Sequence, residues 1–333
     1  MKTLFNIGDK ITVGDISSYI FDTIRPVAGY SLRKLSNISG PVIRVRRSID
    51  NKESDFYADE IEGGELQGFA TGDGASNVFV TVWYDQFGNN NATQATAAEQ
   101  PKIWDSTTGL LTEGGKPAIE FDGVDDSLAT PDYIVELSQN NATVLSVTKA
   151  DDSRYMLVEA DAASPYSSNF ILGDGDSSSI LWVNTTEFGA QPPTTQALLG
   201  FTYNGTNFQA YLNGSTSGSA GTALVNTEVL NKTVIGSRAE QSGDFYTGLI
   251  QEIITYKSDQ TSNLTAIQNN INVYYVLYGL KHYRQRVLAD SGTFALEGRD
   301  ALVYNSVTIP EMPSLICSCD AYKATKLYNI NPA

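Results

Sequence analysis

Apolar residues alternate with polar ones through most of the chain, and the pattern is clearest between Ala197 and Tyr275. Leu199, Phe201 and Tyr203 alternate up to Asn204-Gly205, and Phe208, Ala210 and Leu212 alternate up to Asn213-Gly214. A period of two broken by Asn-Gly predicts hairpins, because both residues tolerate the positive φ that a tight turn demands. A Gly/Ser/Thr loop then leads to strands at 233–236 and 245–256. Beyond them the period changes. Leu264, Ile267 and Ile271 fall at i, i+3 and i+7 behind the capping residues Thr261 and Ser262, with Gly279 as a stop, and predict one covering helix. Upstream, the pattern predicts strands at 42–45, 77–83, 143–149, 154–160, 170–172 and 180–183, with a helical turn at 31–35. The sum is an all-β antiparallel architecture.

Composition narrows the class. With 333 residues and a 41% apolar share, the chain can bury a substantial core. Acidic residues outnumber basic ones 38 to 22, for a net charge of −16, which repels phosphate backbones and argues against nucleic acid as a partner. Cys317 and Cys319 are one residue apart, so a disulfide between them would be strained, and with the lone His282 they are too few for a four-ligand zinc site. Asp9 and Asp15 interrupt the N-terminal stretch where an apolar signal-peptide core would lie, and no apolar run reaches membrane-spanning length. The expectation is a chain without a signal peptide or membrane insertion.

Residues 1–27 are too short to bury their own apolar positions, which leaves two readings open: an arm docked on the main domain or a neighbouring subunit, or a first strand with a loose terminus. Residues 28–286 hold the strands and the helix. Residues 287–333 are interrupted by Pro310, Pro313 and Pro332, which argue against a regular sheet interior and for an extended assembly tail that docks on a partner.

Three blocks carry resemblances. FTYNGTNFQAYLNG, VIGS, FYTGLIQEIITY and a capped helix, in that order, resemble the C-terminal half of a laminin-G-like, concanavalin A-like jelly roll. KPAIEFDGVDDSL resembles a strand-turn of the same group. SGPVIRVRRSIDN, with the later GGEL and WYDQFGNNNATQA, resembles the catalytic domain of the fungal α-L-arabinofuranosidase B family and also bacteriophage virion proteins with a laminin-G-like domain. The implied fold is an antiparallel jelly-roll sandwich.

Each block has candidate chemistry. Trp83 and Tyr84 end an apolar strand, and Asp85-Gln86 opens a turn in which Asp85 is placed to accept from Arg46 or Arg47. Alternatively, Arg44, Arg46 and Arg47 form an anion or sugar-acid site. Asp122, Asp125 and Asp126 surround a glycine turn and are calcium candidates by their hard oxygens, although such turns are also held by their own Asx hydrogen bonds.

The arabinofuranosidase resemblance implies a retaining glycosidase with two carboxylates facing one sugar. It places the acid/base where this chain has Arg238, and the nucleophile at Thr186, with Glu187 matching only after a one-residue slip that reverses the strand face. The family's disulfide cysteines are also missing. The expectation is therefore a non-enzymatic virion structural protein of head or tail fibre, assembled with other virion proteins as a homo-oligomer, with a trimer as the phage-fibre analogy and host-surface glycan as a further partner. No cofactor beyond calcium is expected. The alternatives are an arabinofuranosidase-type glycosidase and a stand-alone lectin domain.

Overall fold

The computed structural model describes residues 20–37, 40–132, 134–135, 137, 141–152, 156–160, 168–174, 179–184, 186–225, 232–238 and 243–279, together with four two-residue strands beyond them. In chain order, the first half holds β1 (Ala28–Ser31), β2 (Ile43–Arg47), β3 (Glu53–Phe56), helices α1 (Ala58–Gly63) and α2 (Glu65–Thr71), β4 (Val78–Trp83) and β5 (Ala92–Thr93). It continues with β6 (Lys102–Asp105), β7 (Gly109–Leu110), β8 (Thr112–Glu113), β9 (Lys116–Pro117), β10 (Ile119–Asp122) and β11 (Leu128–Ala129). The second half holds β12 (Ala142–Asp152), β13 (Leu157–Ala160), β14 (Ser168–Asp174), β15 (Ser179–Val183) and β16 (Thr186–Phe188). Then come β17 (Ala197–Tyr203), β18 (Phe208–Leu212), β19 (Ser215–Gly221), β20 (Lys232–Ile235), β21 (Thr247–Tyr256) and helix α3 (Leu264–Tyr275).

All strand pairings are antiparallel, and β4 is where the sheet divides. One edge of β4 pairs with β2, while the other is shared between β6, near Val78, and β5, near Trp83. From β6 the first sheet runs through β10, β21, β12, β17, β18 and β19. From β5 the second runs through β11, β20, β13, β14, β15 and β16. Rings from the two sheets meet between them: Phe170 on β14 lies edge-on to Phe201 on β17 at 5.1 Å, and Phe188 on β16 lies 5.4 Å from Phe208 on β18. This is a β-sandwich, as the alternation predicts.

The hairpins form where Asn-Gly predicts them, with Tyr203 opposite Phe208 and Leu212 opposite Ser215. Asn213 and Gly214 both have positive φ, 47° and 73°, which lets the turn follow the strand twist. The predicted Gly/Ser/Thr loop is instead partly strand β19, because β18 offers it a free edge. Helix α3 buries Leu264, Ile267 and Ile271 as predicted and covers β21, its Tyr275 hydroxyl donating to the Gln251 carbonyl at 3.3 Å. Its ends differ from expectation: Asn263 is the N-cap, and Val276 in the left-handed region closes it before Gly279.

Two further differences lie near the N-terminus. Ser31–Leu35 is not helical; 28–31 pairs with β21, which removes those amides from any helical turn. The short helices α1 and α2, joined at Gly64 with φ 112°, follow no predicted period. Of the expected arm, residues 20–27 are described, and there Phe21 is fully buried against the Phe87 ring while the Val27 amide donates to the Thr255 carbonyl. Residues 1–19 lie outside the described set.

Contacts divide the chain into units at Met1–Leu277 and Tyr278–Ala333. The second contains two short antiparallel pairings, 293–294 with 307–308 and 315–316 with 328–329. His282, Cys317 and Cys319 lie outside the described residues. No described helix is long and apolar enough to cross a membrane.

Candidate functional site

The block around Asp85 is a braced corner. Asp85 Oδ1 accepts from the amides of Gly29 and Phe87, both at 3.0 Å, and Oδ2 accepts from the Asn90 amide at 3.2 Å. Gln86 ties the next turn of chain, accepting from the Leu35 amide and donating to the carbonyls of Ser31 and Arg33. Trp83 is fully buried beside Tyr30, and Tyr84 donates to Asp55 at 2.8 Å.

The expected pairing of Asp85 with an arginine does not form. Arg44 holds Asp55 in a two-pronged bond; Arg46 donates to Gln100, Asn51 and the Ala97 carbonyl; Arg47 is held by Asp50, Asp73 and the Phe69 carbonyl. The register sets Arg46 and Arg47 opposite Phe79 and Val78, at the end of β4 away from Asp85, and acceptors on adjacent strands and turns take the guanidiniums instead. Their donors are thus engaged internally, which also counts against an anion or sugar-acid site on this strand.

The opposite end of β21 gathers carboxylates. Strand β10 ends at Asp122, opposite Thr247, and turns at Gly123 with φ 77°. Asp122 Oδ1 accepts from the amides of Val124 and Asp125, and Asp126 Oδ2 accepts from the Asp122 amide at 2.9 Å. Ligand oxygens of Asp122, Asp125 and Asp126 lie within 4.8 Å of one another. Burial, reinforced by the neighbouring Asp122 charge, pushes the Asp126 carboxyl up to about 7. Calcium takes roughly six to eight oxygens. The turn supplies fewer carboxylates than that, and two of them already serve its own amides.

The loop joining β20 to β21 lies against this turn. A Cβ at Gly236, where φ is 90°, would overlap the Phe121 ring and approach the Asp126 carbonyl at 3.2 Å. The loop is closed by the Tyr246 amide on the Gly236 carbonyl, 2.8 Å, and within it Arg238 forms an ion pair with Asp244. Asp244 is a non-glycine residue held at φ 47°. Beside the turn, a cavity of about 360 Å³ is lined in part by Glu120, Asp122, Lys149, Asp151 and Thr247. Lys149 lies 3.3 Å from Asp151 and 3.8 Å from Glu113, while Lys102 lies 2.8 Å from Glu120.

Thr186 pairs with buried Val183, and Glu187 pairs with half-buried Trp182. The two therefore lie on opposite faces of β16, so a slip of one residue does not carry Glu187 into the place of Thr186. Asp244 is the acid that sequence reading misses. Its signal is its place immediately before Phe245-Tyr246, but only the folded loop shows that Arg238 pairs with it.

No family profile matches the chain, and no curated protein matches it. Solved structures do. A GH54 α-L-arabinofuranosidase soaked with a cyclic sulfate inhibitor aligns with a TM-score of 0.57 and 12% identity, covering 92% of this chain and 78% of that one. An arabinofuranosidase complexed with arabinofuranosyl-α-1,2-xylobiose aligns at 0.54 and 14% identity with the same coverage. A mutant of the GH54 enzyme soaked with 4-nitrophenyl α-L-arabinofuranoside aligns at 0.56 and 14% identity. The shared feature is the fold. These matches overturn the expectation of a non-enzymatic chain: that expectation rested on the unmatched positions 186 and 238, the missing disulfide cysteines and the character of the chain's two ends, whereas 92% of the chain aligns with structures of arabinofuranosidases.

Proposed function

We propose that the chain is a glycosidase of the α-L-arabinofuranosidase type, working at the carboxylate-rich end of the sandwich. The supporting observation is the fold held in common with arabinofuranosidases over 92% of the chain. Because Thr186 and Arg238 stand at the positions implied for the carboxylates, other acids must serve. Retaining glycosidases use one protonated and one ionised carboxyl roughly 5 Å apart, with environments that push their pKa values in different directions.

The turn at 122–126 offers that combination. Asp126, with its carboxyl near 7, is the proton donor to the glycosidic oxygen, and Asp122, the exposed member within 4.8 Å, is the carboxylate that attacks the anomeric carbon. The C–O bond to the leaving alcohol breaks as the ester to Asp122 forms. Water, deprotonated by Asp126, then hydrolyses that ester and returns the proton. The Arg238–Asp244 pair borders the same end and orders the loop.

Turnover of 4-nitrophenyl α-L-arabinofuranoside tests this reading. Asp126→Asn and Asp122→Asn are each expected to lose at least about 100-fold in kcat/KM, and Glu187→Gln to retain it. A parent protein that leaves the substrate intact overturns the glycosidase reading. Loss on Glu187→Gln with retention in Asp126→Asn overturns the residue assignment.

A further inference from the structure

A second cavity lies toward the other end of β21, on the corner braced by Asp85. Its volume is about 570 Å³, within the roughly 300–1,000 Å³ typical of small-molecule sites. Lys34, Pro41, Tyr57, Asp59, Gln86 and Phe87 are among the residues lining it. Along β21, this corner is anchored where Gly29 faces Ile254, and the carboxylate turn where Asp122 faces Thr247. Seven residues of strand separate them, roughly 23 Å.

The polar groups of this cavity divide into two sets. The floor is committed: all three hydrogen bonds of the Gln86 side chain and all three of the Asp85 side chain go to backbone groups, and Phe87 packs on Phe21. Glu60 is spent on the Tyr57 amide at 2.8 Å. The walls are uncommitted. Tyr57, the N-cap residue just before α1, is a large side chain left 41% exposed, and Lys34 and Asp59 line the same space without an ion pair among the described residues.

From this division we infer that the cavity is a second saccharide site that binds a neutral oligosaccharide. A flat aromatic face takes the C–H side of a pyranose, a carboxylate accepts from hydroxyls and an ammonium donates to them. Charges of both signs in one lining disfavour a strongly anionic or cationic ligand, and the braced floor means that little ordering is lost on binding. The site does not depend on hydrolysis at the other end.

The test is titration of the full chain with xylotriose and cellotriose, neither of which carries an arabinofuranosyl group to cleave, followed by calorimetry and ligand-observed NMR. At least one is expected to bind with Kd of roughly 1 mM, a typical weak affinity. Tyr57→Ala should weaken it tenfold or more, Lys34→Met with Asp59→Asn should weaken it further, and Asp126→Asn should leave it unchanged. Thermal melts of the wall variants should match the parent, since these side chains are exposed. The inference is overturned if neither sugar binds below 10 mM, if Tyr57→Ala binds as the parent does, or if Asp126→Asn abolishes binding. Arabinofuranoside turnover is scored separately, so failure of one site is distinguishable from failure of the other.

Discussion

Two aspartate turns at opposite ends of β21 look alike in sequence and behave differently in the fold. At the first, Asp85 is 7% exposed and accepts from three backbone amides on two segments of chain. At the second, Asp126 is 6% exposed, accepts from one amide and sits among other carboxylates. Burial is nearly equal. What separates them is the supply of donors: three amides meet Asp85 and one meets Asp126, where burial and a neighbouring charge oppose the charged form. A buried carboxylate occupied by several amides is a brace, and the proton-donor role proposed for Asp126 rests on its meeting only one.

The strongest perturbation adds a third buried acid to the comparison. Glu252, 1% exposed on β21, is held by the Arg33 guanidinium at 2.7 and 2.8 Å and by the Ser31 hydroxyl at 2.8 Å. Arg33→Met leaves that charge buried without its counter-ion and should cost about 3–5 kcal/mol. Urea unfolding measures it, and a loss under 1 kcal/mol would show that the pair is not desolvated in solution.

Next in size is Asp85→Ala, which strips acceptors from the amides of Gly29, Phe87 and Asn90. The expected loss is about 2–4 kcal/mol, since each buried donor left unmet costs about 1–3 and relaxation recovers part. The same measurement on Arg46→Met and Arg47→Met sharpens the point. If an arginine anchored Asp85, a double-mutant cycle would show coupling; independent effects are expected instead.

The smallest effect has the opposite sign. The folded pKa of Asp126, about 7, lies above its ordinary carboxylate value of 3.8, so folding takes up a proton between those two values. The associated stability is fully present below about pH 4, declines as pH rises and is gone above about 7. Asp126→Asn keeps an oxygen for the Asp122 amide but has no charge to bury. It should unfold later than the parent at pH 8 by roughly 1–3 kcal/mol, with the difference shrinking toward pH 5. A variant less stable than the parent at pH 8 would place Asp126 with Asp85 as a brace.

Sequence alone determined the elements whose signals are local. The hairpins at 204–205 and 213–214, the core-facing positions Leu199, Phe201 and Phe208, and the buried stripe Leu264, Ile267 and Ile271 follow from period and from two turn residues, because side-chain direction is fixed by backbone geometry. The antiparallel all-β architecture was legible for the same reason, while the jelly-roll sandwich was implied by the resemblance of these blocks to a known fold.

The partners of charged side chains were not legible. Asp85 and the arginines of β2 are opposite in charge, yet the register sets Arg46 and Arg47 opposite Phe79 and Val78, at the far end of β4 from Asp85, and each arginine meets a nearer acceptor: Asp55 directly across the strand pair, Asp50 three residues on, and Gln100 from another segment. Nor could sequence show that Arg238 carries a carboxylate beside it from six residues downstream, or that Asp126 is more deprived of donors than Asp85. Hydrogen-bond supply and local dielectric are set by which backbone segments converge on a side chain. That is a property of tertiary packing, and it decides which acid is met by several amides and which by one.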